Sequence, residues 1–397
     1  MDRKNFMMTQ RILTDQWLRS AHRLTAMACG LLLALCLAGC GKSGGDDVIK
    51  VGEYASLTGK EASFGQMSHH GTELAIEEVN AKGGALGKKL KLLTEDNQSK
   101  QGESKTCADK LISRDGVVAL LGEASSGRSL EAAPVCQEEK IPMIAPSSTD
   151  PKVTQTGDYI FRVCFVSAFQ AKVMAKFALQ TLRLKNVALL TDVGLPYSVG
   201  LAEAFKPVFV AGGGSIIAEL NYTSGGTDFR AQLTAIKAAK PDGIYVPGYY
   251  TEAGLICRQA KELGINVPIF GGDGWESAKL IEIGGPAVEG TYFSTHFSPG
   301  QKTPAVEEFT KKFTVKYGVE PDSMAALGYD SALLLADAIR RAGTTDGPKL
   351  RDALAATKDF AGITGNITID KDRNASKLAV VLEVKGGKFE YRETIHP

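Results

Sequence analysis

The sequence predicts an α/β protein built as two doubly wound, mainly parallel-sheet lobes joined by a three-segment hinge, and three observations lead there. From Ile49 onward, short β-branched runs alternate with amphipathic helical stretches, and the alternation occurs twice. About 350 residues follow the leader, more than one hydrophobic core normally supports. A long helical stretch at Tyr329–Ala342 and a pair of strands near Ile363–Ile369 and Ala379–Val384 remain over, which a single sheet of some ten strands would not absorb.

In the first series the strand candidates are Ile49–Tyr54, Lys89–Leu93, Val117–Leu121, Pro142–Ile144 and Tyr159–Val163. Between the first two, Ser68–Lys82 sets Leu74, Ile76 and Val79, with Ala75 and Ala81, against Glu73, Glu77, Glu78 and Lys82. That spacing makes one apolar helical face, and Gly83-Gly84 stops the helix. The second series runs Val187–Leu190, Ile216–Leu220, Gly243–Val246, Pro268–Gly271 and Thr291–Phe293, with helices at Gly200–Phe209, Asp228–Ala239 and Glu252–Leu263. Repeated strand–helix units imply right-handed crossovers and sheets covered on both faces. Crossings near Ser167, Thr295 and Ala379 would divide the chain into 47–168 plus 296–379 as the N-terminal lobe and 169–295 plus 380–397 as the C-terminal lobe.

The N-terminus reads differently. Arg3, Lys4, Arg11, Arg19 and Arg23 precede an apolar run from Leu24 to Ala38 that closes in Leu37-Ala38-Gly39-Cys40. A basic region, a short apolar core and small residues spell a secretory signal over 1–39. The run is too short to span roughly 30 Å of hydrocarbon comfortably. The Cys after small residues resembles the lipobox of bacterial lipoproteins, which implies cleavage, lipidation of Cys40 and a Gly/Ser-containing leash over 40–46; an uncleaved anchor is the alternative. Either way the remainder lies outside the cytoplasm, periplasmic or cell-surface. Of 46 basic and 45 acidic residues, the signal carries five and two, so the remainder has a formal charge near −2 and no basic footprint for nucleic acid. Export permits disulfides. Cys107 and Cys136 fall on consecutive helices that lie side by side in such a layout and are expected to pair, with burial as free thiols the alternative.

Ligands of open α/β sheets bind beyond the carboxyl ends of the strands. Two loops there, Gly122-Glu123-Ala124-Ser125-Ser126-Gly127 and Ala145-Pro146-Ser147-Ser148-Thr149-Asp150-Pro151, offer hydroxyls and free backbone N–H groups suited to a carboxylate, or else plain helix caps. In the second series Asp273, flanked by Gly272 and Gly274, is the anchor for a positive charge, or an Asx-turn acid. Tyr197, Tyr249, Trp275 and Phe64 would supply apolar walls, although each could equally be core packing. The Gly-x-Ser-x-Gly match at Gly41-Lys42-Ser43-Gly44-Gly45 falls in the leash and not between a strand and a helix, and no Walker loop, Gly-x-Gly-x-x-Gly fingerprint or His-Glu-x-x-His is present, so neither catalytic residue, cofactor nor metal is expected. The histidines read as surface residues: His296 is isolated, and His69 and His70 are adjacent on a helix and face different directions. Asp370-Lys371-Asp372-Arg373-Asn374 reads as a charged hairpin turn.

The chain resembles the leucine/isoleucine/valine-binding proteins among type I periplasmic binding proteins. The resemblance is carried by Ile49-Lys50-Val51-Gly52 with Leu57-Thr58-Gly59, Val79-Asn80-Ala81-Lys82-Gly83-Gly84, Ile144-Ala145-Pro146-Ser147-Ser148-Thr149, Gly225-Gly226-Thr227-Asp228-Phe229 and Arg258-Gln259-Ala260, in that order. It implies a binding component of an ABC importer that passes a hydrophobic L-amino acid to a membrane permease, with a monomer expected. It also implies that Ser126 and the Thr149 N–H hold the α-carboxylate, that the Ser147 carbonyl, the Thr149 hydroxyl and Asp273 meet the ammonium, and that Phe64, Tyr197 and Tyr249 pack the side chain. Ala124, Ser125, Ser148 and Trp275, in the same loops, are expected at the ligand as well. This chain departs in having Asp273 where well-known members have Glu and Phe64 where they have Tyr. Binding of an amide, urea or an aromatic acid, or service as the sensing module of a membrane receptor, are the competing expectations.

Overall fold

The computed structural model describes residues 48–395, so the expected signal, Cys40 and leash lie outside the described residues. The first series comprises β1 (Val48–Ala55), α1 (Ala62–Ala81), β2 (Lys89–Asp96), α2 (Glu103–Asp109), β3 (Leu120–Leu121), α3 (Ser126–Glu138), β4 (Met143–Ala145), α4 (Lys152–Gln155) and β5 (Ile160–Arg162). The second comprises α5 (Ser167–Lys176), β6 (Asn186–Asp192), α6 (Pro196–Ala211), β7 (Ser215–Tyr222), α7 (Arg230–Ala239), β8 (Gly243–Tyr245), α8 (Tyr250–Glu262), β9 (Ile269–Gly271), a 3₁₀ turn (Asp273–Trp275), α9 (Ala278–Gly284) and β10 (Tyr292–Thr295). There follow α10 (Pro304–Tyr317), α11 (Ser323–Ala342), α12 (Gly347–Ala355), β11 (Phe360–Gly362), β12 (Gly365–Ile369), β13 (Ala375–Ser376), β14 (Ala379–Lys385) and β15 (Lys388–Ile395).

These strands form two main sheets. The first is ordered β2-β1-β3-β4-β5 and is parallel throughout. The second is ordered β15-β14-β10-β9-β8-β6-β7, parallel from β7 to β10 and antiparallel at β14 and β15. Both are buried on both faces, because successive side chains of a strand point oppositely. In the first sheet, Leu121, Ile144 and Phe161 enter the core beneath α1 and α11, while Leu120, Met143 and Ile160 enter the core beneath α2 and α3. In the second, Leu190, Ile244 and Phe293 face one core and Leu189, Tyr245 and Phe270 the other.

The two strands near the C-terminus were expected as a pair, and the structure separates them. β14 buries Val380, Leu382 and Val384 on one face and Ala379 and Val381 on the other, which suits a place between β10 and β15 in the second sheet. Gly365–Ile369 lies instead between β11 and β13 in a small antiparallel sheet, and the charged run after it is the turn into β13. There Asp370 accepts the N–H groups of Asp372 and Asn374. β15 was not anticipated, since Lys388-Phe389-Glu390-Tyr391-Arg392-Glu393 is largely charged; such a strand suits a sheet edge, where charge discourages further pairing. It is joined to β14 through Gly386 and Gly387, both at positive φ, as a two-residue hairpin turn requires.

Helices α1 and α11 cross closely over the first sheet. A Cβ on Gly71 would lie 1.9 Å from the Ala325 carbonyl oxygen, and one on Gly328 2.2 Å from that of Ser68, so glycine at both positions sets the approach. The disulfide expectation is corrected: Cys107 and Cys136 are free, buried thiols. Their helices do pack together, but both side chains enter the apolar core around Tyr54 as small hydrophobes. Burial raises the Cys107 thiol to about 11 and pushes Cys136 higher still, so neither has thiolate character at neutral pH.

Candidate functional site

The loops at the carboxyl ends of β3 and β4 are locked to one another. Glu123, fully enclosed, accepts from the Ser56 N–H (2.8 Å), the Ser56 hydroxyl (2.5 Å), Asn97 Nδ2 (3.1 Å) and the Ser125 N–H (2.8 Å). Its backbone carbonyl accepts from the Ser148 hydroxyl at 2.8 Å, and Ser148 and Ser129 share a further bond of 2.7 Å. The Ser148 hydroxyl is thus spent joining the loops and, although expected at the ligand, serves as their support. The Asp150 N–H donates to Ser126 Oγ at 3.2 Å. Beneath them lies Arg162, fully buried, which donates to the carbonyls of Ser148 and Asp150 (2.7 Å) on either side of Thr149. Burial pulls the Arg162 guanidinium below its ordinary value, and these carbonyls are the charge-assisted partners that offset its desolvation.

Plain capping does not account for Ser125. It holds the N-cap position of α3, yet its side chain caps no helix N–H. It accepts instead from the Tyr249 hydroxyl at 3.0 Å, from the loop after β8 of the other sheet. Further contacts follow the same route between the sheets. The Tyr250 hydroxyl donates to the Lys60 carbonyl at 2.6 Å, and Ser63 and Ser277 share a bond of 2.7 Å. Phe64 stands edge-on to Tyr249 and Tyr250, with ring centroids 5.3 and 4.8 Å away.

Asp273 is the buried acid of the second side. Its Oδ1 accepts from Gln170 Nε2 and from the Tyr197 hydroxyl, both at 2.8 Å, and its Oδ2 lies 3.0 Å from His296 Nε2. Tyr197 in turn accepts the Gly274 N–H at 3.2 Å and lies 5.2 Å, centroid to centroid, from Tyr249. Glycine at 272 is needed here, because a Cβ would come within 2.4 Å of the Tyr197 hydroxyl. Thr149 is tied to the first turn of α5, where the Ser167 N–H and hydroxyl both donate to its carbonyl at 2.9 Å. Gln170 is three residues further on.

The expected residues are therefore linked: Ser125 to Tyr249, Tyr249 to Tyr197 and Phe64, Tyr197 to Asp273, and Thr149 through α5 to Asp273. Ser147 and Ser126 lie in the same locked loops and are buried, while Ala124 is half-buried against the core that holds Tyr249. Trp275 departs from its expected role as a wall. The indole is wholly buried under Gly271 in the second sheet's core, its Nε1 donating to the Val246 carbonyl at 3.0 Å. His296, read from sequence as a surface residue, is enclosed and stacked on Phe165 at 3.6 Å. Glu123, Gln170 and Arg162 were missed; the signal available for Glu123 was an acid in an otherwise hydroxyl-rich strand-end loop.

A family model for periplasmic binding proteins matches residues 48–388. The Leu/Ile/Val-binding protein BraC3 of Rhizobium johnstonii is 33% identical over 322 residues, 81% of this chain and 87% of that protein. Among solved structures, the leucine binding protein LivK of Thermotoga maritima matches with a TM-score of 0.85 and 40% identity, covering 88% of this chain and 99% of that one. The substrate binding protein LivJ of Streptococcus pneumoniae, in complex with isoleucine, matches with a TM-score of 0.84 and 35% identity over 88% and 100%. Two largely parallel sheets, a buried acid linked through Tyr197 and Tyr249 to a hydroxyl-rich loop and matches along nearly all the described residues agree, and this chain belongs to the periplasmic binding protein family, alongside the Leu/Ile/Val-binding proteins.

Proposed function

We propose that this chain is the extracytoplasmic substrate-binding component of an ABC importer, which captures a branched-chain or other hydrophobic L-amino acid and delivers it to a membrane permease. The observation that supports the reading is the buried Asp273, bonded by Tyr197, whose ring contact with Tyr249 leads on to Phe64 and to the Ser125 hydroxyl. A zwitterion needs an acid for its ammonium, donors for its carboxylate and an apolar space for its side chain. The acid argues against an amide, urea or an aromatic acid, none of which brings an ammonium group.

In this reading residues 47–168 with 296–379 form one lobe and 169–295 with 380–397 the other. Ligand contacts to both select the closed state, to which the Tyr249 and Tyr250 hydroxyl bonds belong. Ser126 and Thr149 receive the carboxylate, Ser147, Thr149 and Asp273 the ammonium, and Cys40 carries the lipid that tethers the protein to the membrane. The test is uptake of labelled leucine in a strain lacking this chain. Influx is expected to fall and to return with the full chain, whereas unchanged influx would reject transport and favour a sensing role.

A further inference from the structure

Asp273 is held more tightly than a lone ligand-binding acid needs to be. A carboxylate offers about four lone-pair sites. Gln170 Nε2 and the Tyr197 hydroxyl, each at 2.8 Å, fill both sites on Oδ1, and His296 Nε2, at 3.0 Å, fills one on Oδ2. The site left over is therefore on Oδ2, the oxygen that His296 already touches. We infer that Gln170 and His296 are positioning residues, which fix the Asp273 carboxylate so that a ligand's ammonium group is received on Oδ2, beside the imidazole. This rests on the proposed amino-acid-binding role.

Both residues are themselves anchored. Gln170, in the first turns of α5, also donates to Ser294 Oγ on β10 at 3.0 Å, so the segment linking the sheets fixes the acid's orientation. The His296 ring is enclosed and lies nearly flat on Phe165, at 3.6 Å and 24°. A carboxylate has no proton to give, so Nε2 carries the hydrogen and Nδ1 is left as a buried acceptor with no partner among the described residues.

The charge state of His296 then matters to the ligand. The groups facing it are Asp273 from the 3₁₀ turn, Lys377 from the segment between β13 and β14, and the Phe165 ring from the segment before α5. Burial holds its proton affinity below the ordinary value, Asp273 opposes this and Lys377 adds to it. An imidazolium would set a second positive charge beside the oxygen meant for the ammonium. Ligand binding therefore favours the neutral ring, and acid weakens binding by at most one proton's worth, about tenfold per pH unit.

The experiment is calorimetric titration with leucine from pH 5 to 8 on wild type, His296→Gln, His296→Leu and Gln170→Leu. Wild-type affinity is expected to be level above the ordinary histidine value of 6.5 and to fall only on acidification below it. His296→Gln, which keeps a donor but does not titrate, is expected to hold neutral-pH affinity within about threefold and to flatten the profile. His296→Leu and Gln170→Leu are expected to weaken binding about tenfold or more at pH 7, with melting curves checking that each is folded. A His296→Gln profile parallel to wild type, or His296→Leu binding as wild type does, overturns the inference. Nitrogen NMR of the labelled His296 ring gives a reading that needs no ligand affinity. A neutral ring protonated on Nε2 at pH 7, perturbed in Asp273→Asn, is expected, and a ring indifferent to Asp273 overturns the inference. Wild type that binds no amino acid at pH 7 would instead overturn the functional reading, leaving the NMR result to judge the clamp.

Discussion

The Tyr249 hydroxyl donates to the Ser125 hydroxyl at 3.0 Å, joining a loop of the second sheet to the start of the helix that leaves the first. Tyr249→Phe keeps the ring against Phe64 and Tyr197 but removes this bond. Leucine affinity is expected to drop by about 0.5–1.5 kcal/mol, the net worth of one such bond. A double-mutant cycle with Ser125→Ala checks it: if the two losses add fully, the hydroxyls do not act together.

Arg162 is the support of the Thr149 loop. Arg162→Met leaves the Ser148 and Asp150 carbonyls without their buried donor. The expected cost in urea unfolding is about 1–3 kcal/mol for each buried carbonyl left without its donor. A loss below about 1 kcal/mol would mean that the loop holds itself.

The close crossing of α1 and α11 makes a sharper steric prediction. Gly71→Ala and Gly328→Ala each place a methyl group onto a backbone carbonyl of the facing helix. Each is expected to destabilise by about 1–3 kcal/mol despite the better helix propensity of alanine. Unchanged melting temperatures would show that the helices separate freely.

A pH dependence follows from Glu276. Its Oε1 accepts the Ser323 N–H at 3.1 Å at the start of α11, and its Oε2 is bonded by the Thr295 and Ser323 hydroxyls. Burial, with Asp322 nearby, raises this carboxyl from 4.5 to about 8. A raised carboxyl keeps its proton when folded, so its contribution is full below about pH 4.5 and declines as pH rises towards about 8. Glu276→Gln removes that titration. The wild-type melting temperature is expected to fall more steeply than the variant's from pH 5 to 8, and parallel curves would contradict the assignment.

Much of this architecture was legible because it depends on periodicity. The alternating strands of both series and the helices between them follow from apolar spacing, and Asp273, Tyr197 and Tyr249 stood out as unusual residues at strand ends. What escaped were features set by tertiary contact. His296 follows Thr295 directly in sequence, and nothing local says that its ring turns inward onto Asp273. Trp275 is adjacent to a site glycine, yet Gly271 leaves a space beneath β9 that the indole fills. The packing of the helices that carry Cys107 and Cys136 was foreseeable from their order, but helix order does not say whether two thiols bond. Charged β15 has only Phe389 and Tyr391 as apolar alternation, too short a signal to announce a strand.

The central claim is that Asp273 receives a ligand's ammonium group, and calorimetric titration of leucine into wild type and Asp273→Ala tests it most directly. Tight binding by wild type and a loss of about 2–5 kcal/mol in the variant are expected, the cost of removing one partner of a buried charge pair. Equal affinity in the two proteins would contradict the account.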